Sequence, residues 1–271
     1  MKIKNLISIV LLCCTCWCAK DQLVLGVNPY KTTPELQAIH AELIAYLEKA
    51  LDKEIVFVVS KDYNQLITLI EQGSVDMASI SPKLFAMLRQ KEVNADYLGT
   101  IQFADTQTLK RSTYRSLILT PKESSVKTLA DLKGKSFGFT DVDSTSGYLY
   151  PCFTMRQNGI DPSKELGKIY MLKKHSKIID ALLEKSIDAG AVYDGIYRAL
   201  PEETQRKIRI LSTSEEIPYD AMIASGHLDP ALVAKIKTLL LAFHSSTNTQ
   251  SSIAGFEEKP LFLYDRLLHL E

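Results

Sequence analysis

The stretch Asp143-Ser144-Thr145-Ser146-Gly147-Tyr148 decides how the rest of the chain is interpreted. Residues 136–140 before it form a short apolar run typical of a buried strand, and residues 149–157 after it contain few helix breakers. A strand that turns through hydroxyl residues into a helix leaves backbone N–H groups unpaired at one point, which the positive end of the helix dipole also faces. The stretch therefore predicts an anion site made without a cationic side chain.

The alternative for this stretch is a plain helix cap. Ser144 alone would satisfy that role, because serine is a preferred N-cap residue. Three consecutive hydroxyl residues followed by Gly147 exceed what one cap needs, which favours a ligand.

Strand and helix patterns alternate along the whole chain. The predicted strands are residues 23–27, 55–59, 75–80, 97–103, 116–120, 136–140, 169–172, 187–192, 209–211 and 221–223. The predicted helices begin at Thr33 as cap, Asp62, Ser81 and Asp194, or span residues 129–134, 149–157, 178–185, 230–243 and 260–270. The run 55–59 is almost entirely apolar, as in a strand that is buried on both faces. Alternation of this kind predicts a parallel α/β sheet.

Two distant segments of the chain are similar. Residues 69–78 (LIEQGSVDMA) and 182–191 (LLEKSIDAGA) both predict the end of a helix, a tight turn, an Asp and a strand. A helix start follows each, at Ser81 and at Asp194. Chance similarity of two amphipathic units is the alternative, but the repeat suggests two similarly built lobes. Because ligands of open α/β sheets bind at the carboxyl ends of strands, facing lobes would bring Ser81, Ser144–Ser146 and Asp194 to one cleft.

Length and composition limit the class of protein. A chain of 271 residues is long enough for one large or two medium domains. Its 46% hydrophobic and 24% charged residues are typical of a soluble globular protein. Basic and acidic residues are equal, at 32 each, and this lack of a basic excess argues against a nucleic-acid partner.

The first 19 residues have the pattern of a secretory signal peptide. Lys2 and Lys4 precede an apolar run, residues 6–12, that is too short to span a bilayer. Two outcomes stay open: cleavage near Ala19, or a lipid anchor on an N-terminal cysteine (Cys14, Cys16 or Cys18). Either way only Cys152 belongs to the folded part, so no internal disulfide forms, and its apolar neighbours predict a buried core residue rather than a nucleophile.

The hydroxyl turn and the residues before it carry a resemblance to a known family. With Leu132-Lys133-Gly134-Lys135 and then residues 143–151 (DSTSGYLYP), the chain resembles the periplasmic solute-binding proteins of ABC importers for phosphonate, phosphite and phosphate. Asp62-Tyr63, His175 and residues 187–194 and 217–220 support the resemblance, which covers about residues 22–245. It implies a periplasmic location and a clamshell of two α/β lobes, each a mostly parallel sheet flanked by helices.

The resemblance also implies where the lobes and the ligand lie. Lobe 1 would comprise residues 20–115 and 220–271, lobe 2 residues 116–219, with hinges near residues 114–116 and 213–219. The Ser-Thr-Ser turn would hold the anionic oxygens. The complete predicted ligand site is Tyr63, Ser81, Ser144, Thr145, Ser146, His175, Asp194 and Asp220.

Each of the remaining site residues has a structural alternative. Tyr63 could be a core aromatic, and His175 could be a solvated surface residue next to two lysines. Ser81 and Asp194 could only cap helices, and Asp220 could order a turn after Pro218.

Two departures from the family pattern leave the organic part of the ligand open. Relatives often have an aromatic residue or Gly-Pro where this chain has Ile80-Ser81-Pro82, and aminophosphonate binders place a Glu where it has Asp194-Gly195. An acid beside a dianion is repulsive by about 4 kcal/mol at an effective dielectric constant of about 20. The ligand is therefore predicted to carry an amine or a proton, and sulfate, which has neither, to be rejected. A sulfonate is a further alternative.

The predicted function is a non-enzymatic binding protein that delivers a small oxyanion to the permease of an ABC importer, as a monomer without metal or cofactor. The five histidines (His40, His175, His227, His244 and His269) show no metal-ligand spacing. The alternatives are a sensor subunit that docks a membrane receptor and an enzyme on the same scaffold. An enzyme would need an activated nucleophile or a metal cluster.

Overall fold

The computed structural model describes residues 21–104, 109–246 and 252–270. The predicted signal peptide, with its cysteines, lies outside these ranges. The strands are β1 (Gln22–Val27), β2 (Glu54–Val59), β3 (Met77–Ile80), β4 (Ala95–Ala104), β5 (Lys110–Arg111), β6 (Thr113–Tyr114), β7 (Ser116–Pro121), β8 (Phe137–Phe139), β9 (Ile169–Met171), β10 (Ala189–Tyr193), β11 (Ile208–Thr213), β12 (Ile217–Pro218), β13 (Ala221–Ser225) and β14 (Ile253–Glu257).

The helices are α1 (Thr33–Leu51), α2 (Tyr63–Glu71), α3 (Pro82–Gln90), α4 (Tyr150–Gln157), α5 (His175–Leu183), α6 (Asp194–Arg198), α7 (Glu202–Gln205), α8 (Pro230–Ala242) and α9 (Phe262–Asp265). Leu129–Leu132 and Arg266–Leu270 are 3₁₀ turns. Thr145–Leu149 is a π-helical turn that leads directly into α4.

The strands form two larger sheets. In the first, the order is β14-β4-β13-β3-β1-β2, with β5 paired to β4. Strand β1 is parallel to β2 and β3, whereas β13 is antiparallel to β3 and β4. Within this first sheet the predicted parallel arrangement is therefore found for β1–β3, whereas β4 is not reached in parallel, because β13 from the C-terminal part of the chain lies between β3 and β4.

The second sheet has the order β11-β7-β10-β8-β9. Strand β8 is parallel to β9 and β10, and β7 is antiparallel to β10 and β11. The chain leaves the first sheet through β6 and returns to it through β12, and these two segments pair with each other, Tyr114 opposite Ile217. We call residues 21–115 and 220–270 the first half and residues 116–219 the second half.

Local details differ from the sequence-based predictions at several places. The N-cap of α1 is Thr32 rather than Thr33, because the Glu35 carboxylate accepts the Thr32 N–H at 2.9 Å and closes a capping box. Strand β2 is an edge strand that buries only Ile55 fully, so its apolar sequence does not mean burial on both faces. Strand β14 was not predicted from the sequence.

Buried side chains form hydrophobic clusters on the faces of both sheets. In the first half they include Leu43 of α1 and Ile236 of α8, and in the second half Phe137 of β8 and Ile178 of α5. Cys152 belongs to the second-half core, as predicted. Burial raises the pKa of its thiol to about 11, which keeps the thiol protonated at neutral pH.

Candidate functional site

The predicted hydroxyl turn lies at the carboxyl end of β8, where the chain enters the π-helical turn. Ser144 is its N-cap, and the Ser144 Oγ accepts the Gly147 N–H at 3.1 Å. The Leu149 N–H donates to the Ser144 carbonyl at 3.0 Å, which closes the wide turn. The first N–H groups of a helix have no partner within it. Here those groups belong to the predicted anion-binding residues.

Gly147 allows this turn to form. A Cβ atom at that position would lie 1.9 Å from the Thr140 Oγ1 and 2.9 Å from the Ser144 Oγ. A Cβ atom does not lie that close to an atom to which it is not bonded. The end of β8 and the turn can therefore approach each other only because residue 147 has no side chain. The glycine in the sequence motif therefore has a steric reason.

Contacts from both halves hold the hydroxyl residues, all of which are buried. From the second half, the Ser116 Oγ at the start of β7 donates to the Ser146 carbonyl at 2.7 Å. From the first half, the Lys83 backbone N–H donates to the Thr145 Oγ1 at 2.9 Å. The turn thus lies where the two halves meet.

A cavity of about 70 Å³ adjoins the turn between the two halves. Pockets for drug-sized ligands have volumes of about 300–1,000 Å³, so this cavity suits a much smaller molecule. Seven of the eight predicted site residues line it: Tyr63, Ser81, Ser144, Thr145, Ser146, His175 and Asp220. The structure brings together residues that lie far apart in the sequence.

Several polar atoms in this cavity are buried and lack a partner among the described residues. They are the Asn28 Oδ1, the Ser81 Oγ and the His175 Nδ1. Leaving such a group unpaired costs about 1–3 kcal/mol each, and buried polar atoms are therefore rarely left so. Their location around one small cavity is explained if a polar ligand supplies the missing hydrogen bonds.

The structure places both Ser81 and Tyr63 at the cavity. Ser81 occupies the N-cap position of α3, yet its hydroxyl makes no capping hydrogen bond and lies in the cavity instead. Tyr63 is the first residue of α2, where its ring packs in the core while the residue also lines the cavity. Burial raises the pKa of the Tyr63 phenol, so Tyr63 is a neutral hydrogen-bond donor.

His175 is not a surface residue. It is the first residue of α5, is 3% exposed and packs edge-on against Tyr193, with 4.9 Å between the ring centroids. Burial, with a smaller contribution from the charge of Lys31, lowers the pKa of His175 to about 3. The imidazole is therefore neutral at physiological pH and acts through one N–H and one acceptor nitrogen.

Asp220 is the acid of the cavity. It directly precedes β13, and its Oδ2 accepts a hydrogen bond from the Asn28 side-chain amide at 3.3 Å. Burial raises the pKa of Asp220 to about 7, and the hydrogen bond from Asn28 opposes this only in part. Near neutral pH this carboxyl group therefore exchanges a proton and can donate a hydrogen bond to an anion.

Asp194 lies outside the cavity lining. It is the first residue of α6, and its carboxylate pairs with Arg198 one turn later on the same helix. The Arg198 side chain lines the cavity, as does Lys31, which lies 3.8 Å from the Glu35 carboxylate. Both of these cations thus already have an acidic partner.

The aromatic wall of the cavity was not predicted from the sequence. Tyr30, Tyr114, Tyr193 and Tyr219 line it, with Tyr114 and Tyr219 stacked at 4.9 Å between centroids. Burial, and secondly the charge of Asp220, raises the pKa of both Tyr30 and Tyr114 well above its usual value. Tyr30 follows β1 and Tyr193 ends β10, so the rule that ligands bind at the carboxyl ends of strands could have found them.

The part of the chain that the structure describes contains no cluster of three or more His, Cys, Asp or Glu side chains placed to hold a metal ion. None of the helices formed by residues 21–104, 109–246 and 252–270 is long and apolar enough to span a membrane.

Comparison with known proteins identifies the family. A family model described as the periplasmic substrate-binding protein of phosphonate ABC transporters matches residues 25–259. The phosphate-import protein PhnD of Mycolicibacterium smegmatis is 25% identical over 250 residues, which cover 88% of this chain and 75% of that protein.

Solved structures show the same fold. A binding protein component of an ABC phosphonate transporter from Pseudomonas aeruginosa superimposes with a TM-score of 0.79 at 19% identity, covering 93% of this chain and 85% of that one. PhnD1 from Prochlorococcus marinus, in complex with methylphosphonate, gives 0.77 at 18% identity, covering 92% and 97%. The predicted fold class and the predicted resemblance are confirmed. The chain belongs to the family of periplasmic substrate-binding proteins of phosphonate ABC transporters.

Proposed function

We propose that this protein captures a small phosphorus oxyanion in the cavity beside Ser144–Ser146 and delivers it, without chemical change, to the permease of an ABC importer. The protein acts as a monomer in the periplasm, after its first 19 residues direct export. The observation that carries the proposal is the group of buried, unpartnered polar atoms of Asn28, Ser81 and His175 around the hydroxyl turn.

The anion is recognised by neutral donors. The hydroxyl groups of Ser144, Thr145 and Ser146 and the N–H groups of their turn face a point where the helix dipole is positive. The neutral His175 and the phenol of Tyr63 add further donors. Hydrogen-bond donors held in fixed positions in a site without water bind an anion well even without a free cation. These donors need no reorganisation when the ligand enters.

The cavity also limits the size of the ligand. Its volume of about 70 Å³ and its wall of tyrosine rings leave room for a compact head group with a short substituent at most. This fits phosphate, phosphite or a short-chain phosphonate. Methylphosphonate in the similar Prochlorococcus structure is a ligand of this size.

Release to a permease requires the halves to separate. We infer that the two segments β6 and β12 form the hinge, since the chain passes between the sheets only there within the described residues. The lobes would then be residues 20–115 with 220–271, and residues 116–219. Small-angle scattering should show a smaller radius of gyration with saturating ligand, and an unchanged profile would contradict closure.

A thermal-shift screen of the exported form tests the proposed ligand class. Phosphate, phosphite, methylphosphonate, 2-aminoethylphosphonate and sulfate are added separately at neutral pH. A ligand at 100 times its Kd should stabilise the fold by about 2.7 kcal/mol. Stabilisation by at least one phosphorus oxyanion is expected. No shift with any of them would reject the proposed function.

A further inference from the structure

Lys83 connects the two halves beside the cavity. It lies in the first turn of α3, in the first half, and is only 8% exposed. Its Nζ donates to the Val142 carbonyl at 3.0 Å and lies 3.7 Å from the Asp143 Oδ1. Both partners belong to the loop that leads into the hydroxyl turn, in the second half.

The backbone of the same residue makes a further contact across the cleft. The Lys83 N–H donates to the Thr145 Oγ1 at 2.9 Å. Because this oxygen accepts the Lys83 N–H, the Thr145 hydroxyl acts as a donor in its other contacts, which include the Tyr114 phenol, and Thr145 lines the cavity. The contact therefore fixes Thr145 as a donor at the cavity.

Lys83 itself does not line the cavity, so it does not act by touching the ligand. Its ammonium group is buried, and a buried charge is tolerated only when it is paired or hydrogen-bonded. When the halves separate, the Val142 carbonyl and the Asp143 carboxylate move away and water must solvate the ammonium. The three contacts therefore belong to the closed arrangement alone.

A second lysine holds the same loop in a different way. The Lys173 Nζ lies 3.0 Å from the Asp141 Oδ2, but both residues belong to the second half, and the Lys173 side chain is 65% exposed. This pair persists whether or not the halves close. Two lysines thus bind neighbouring acids of one loop, and only Lys83 reaches it from the other half.

We propose that Lys83 stabilises the closed arrangement of the two halves, a role we call the closure clasp. It holds the 141–143 loop against the first half and orients the Thr145 hydroxyl for the ligand. Ligand affinity therefore depends on a residue outside the cavity. This rests on the proposed function, in which the halves close on an oxyanion. Lys83 is a positioning residue and not a ligand contact.

The test compares Lys83→Met with Lys173→Met by calorimetric titration, using methylphosphonate and inorganic phosphate as probes. A hydrogen bond to a charged group contributes about 1.5–3 kcal/mol, so Lys83→Met should raise Kd by about tenfold to a hundredfold. Lys173→Met should change Kd by less than about threefold, because the Lys173–Asp141 pair lies within the second half and is the same in the open and closed arrangements. Equal affinity of wild type and Lys83→Met would overturn the clasp.

Further readouts separate the clasp from a general structural role. The melting temperature of the ligand-free protein should be the same in Lys83→Met and wild type, while the shift caused by ligand becomes smaller. The same loss of melting temperature with and without ligand would also overturn the proposal. If the wild type binds neither of these probes and neither phosphite nor 2-aminoethylphosphonate, the proposed function fails instead, which is a distinct outcome.

Asp143→Asn supplies a second route if Lys83→Met does not fold. It removes the acidic partner of the clasp and keeps the shape of the side chain. An increase in Kd, with the wild-type melting temperature in the absence of ligand, supports the clasp. An unchanged Kd in this variant contradicts it.

Discussion

The two halves of the molecule are built on the same plan. Strands β13, β3, β1 and β2 of the first sheet have the same order and relative directions as β7, β10, β8 and β9 of the second. The sequence repeat falls on this plan. Asp76 accepts the Val24 N–H at 2.7 Å in the first half, and Asp188 accepts the Ser136 N–H at 2.8 Å in the second.

Corresponding positions of the two halves supply the cavity. Tyr63 and His175 are the first residues of the corresponding helices α2 and α5. Ser81 and Tyr193 occupy the N-cap positions of the helices that follow, α3 and α6. The repeated framework thus fixes where cavity-lining residues lie, and the side chains at those positions differ between halves.

The halves differ at the junction after the first strand of each plan. After β8 the chain enters the buried hydroxyl turn at once, whereas after β1 the helix begins only at Thr33, with Thr32 as an exposed cap. The proposed anion site therefore belongs to the second half, while the first half supplies the acid Asp220 and the phenol of Tyr63 to the cavity. A shared framework does not imply a shared chemical role.

The largest expected effect on ligand affinity comes from removing hydroxyl groups of the turn at Ser144–Ser146, which has no counterpart in the first half. Two hydrogen bonds to a charged oxygen contribute about 1.5–3 kcal/mol each, so Ser144→Ala with Ser146→Ala should weaken binding of the best phosphorus oxyanion by about two to four powers of ten. Thr32→Ala, at the cap of the corresponding helix, is the control and should leave Kd unchanged. Wild-type affinity in the double variant would disprove the anion site.

Asp220 should control the choice between sulfate and phosphorus oxyanions. With its pKa raised to about 7 by burial, this carboxyl group is protonated and donates below that pH, and it is charged and repels a dianion above it. Sulfate keeps its charge over this range, so its affinity should fall by about tenfold per pH unit above the pKa of Asp220. Hydrogen phosphate can instead donate its own proton to the carboxylate.

Titrations with sulfate and phosphate at pH values on either side of neutrality check this expectation. The preference for phosphate should widen as the pH rises. In Asp220→Asn the slope for sulfate should disappear and sulfate should bind. A sulfate affinity in wild type that does not change with pH would place the Asp220 carboxyl group away from the anion.

The corresponding residues Tyr63 and His175 should contribute similarly. Tyr63→Phe and His175→Phe each remove a polar group and keep a ring, and each should raise Kd by about tenfold to a hundredfold. Because burial holds the pKa of His175 at about 3, the effect of His175→Phe should be equal at mildly acidic and mildly alkaline pH. A larger effect at acidic pH would indicate a charged imidazole.

His40 provides the matched control for these variants. It is another buried histidine, hydrogen-bonded to the Leu36 carbonyl at 2.8 Å, with its pKa lowered to about 4 by burial, but it does not line the cavity. His40→Phe should therefore leave Kd unchanged. A loss of affinity equal to that of His175→Phe would mean that burial of a histidine, rather than contact with the ligand, explains the result.

The smallest effect on binding is expected at the aspartates that the halves share. Asp76→Asn and Asp188→Asn should each reduce the free energy of unfolding by about 1–3 kcal/mol, because each leaves a partly buried N–H group poorly paired, and should change Kd little. The Ser136 hydroxyl and N–H lower the pKa of Asp188 against its partial burial. Because the pKa of Asp188 is lowered in the folded protein, its carboxylate stabilises the fold at pH values above its unfolded-state pKa. This stabilisation is lost as the pH falls through the folded-state pKa.

Urea unfolding at neutral and acidic pH measures the free energy of unfolding of each variant and its dependence on pH. The pH dependence of stability should be weaker in Asp188→Asn than in wild type. A loss of binding free energy that exceeds the loss of unfolding free energy would mean that Asp76 and Asp188 also shape the cavity.

Local sequence signals predicted much of this molecule. The hydroxyl turn, the start of α2 at Tyr63 and the repeat around Asp76 and Asp188 each depend on neighbouring residues, which the sequence displays directly. The family resemblance added His175 and Asp220, which the structure places in the same cavity.

What could not be predicted depends on contacts between distant residues. The placement of Tyr219 beside Tyr114 requires the pairing of β6 with β12. Asp194 pairs with Arg198 and does not line the cavity, which the spacing of residues in the sequence does not decide. The position of β13 inside the first sheet likewise depends on a strand that arrives much later in the chain.

The position of β13 between β3 and β4 has a consequence for the rate of folding. The second sheet is formed by one continuous segment of the chain, β7 to β11. The first sheet is complete only when β13, which is distant in sequence, has paired with both β3 and β4. Pairing between segments distant in sequence is slow, because the closure of a long loop precedes the contacts that reward it. During refolding, amide hydrogens of β7 and β10 should gain protection before those of β3 and β13, so the half that comes second along the chain should be the first to fold.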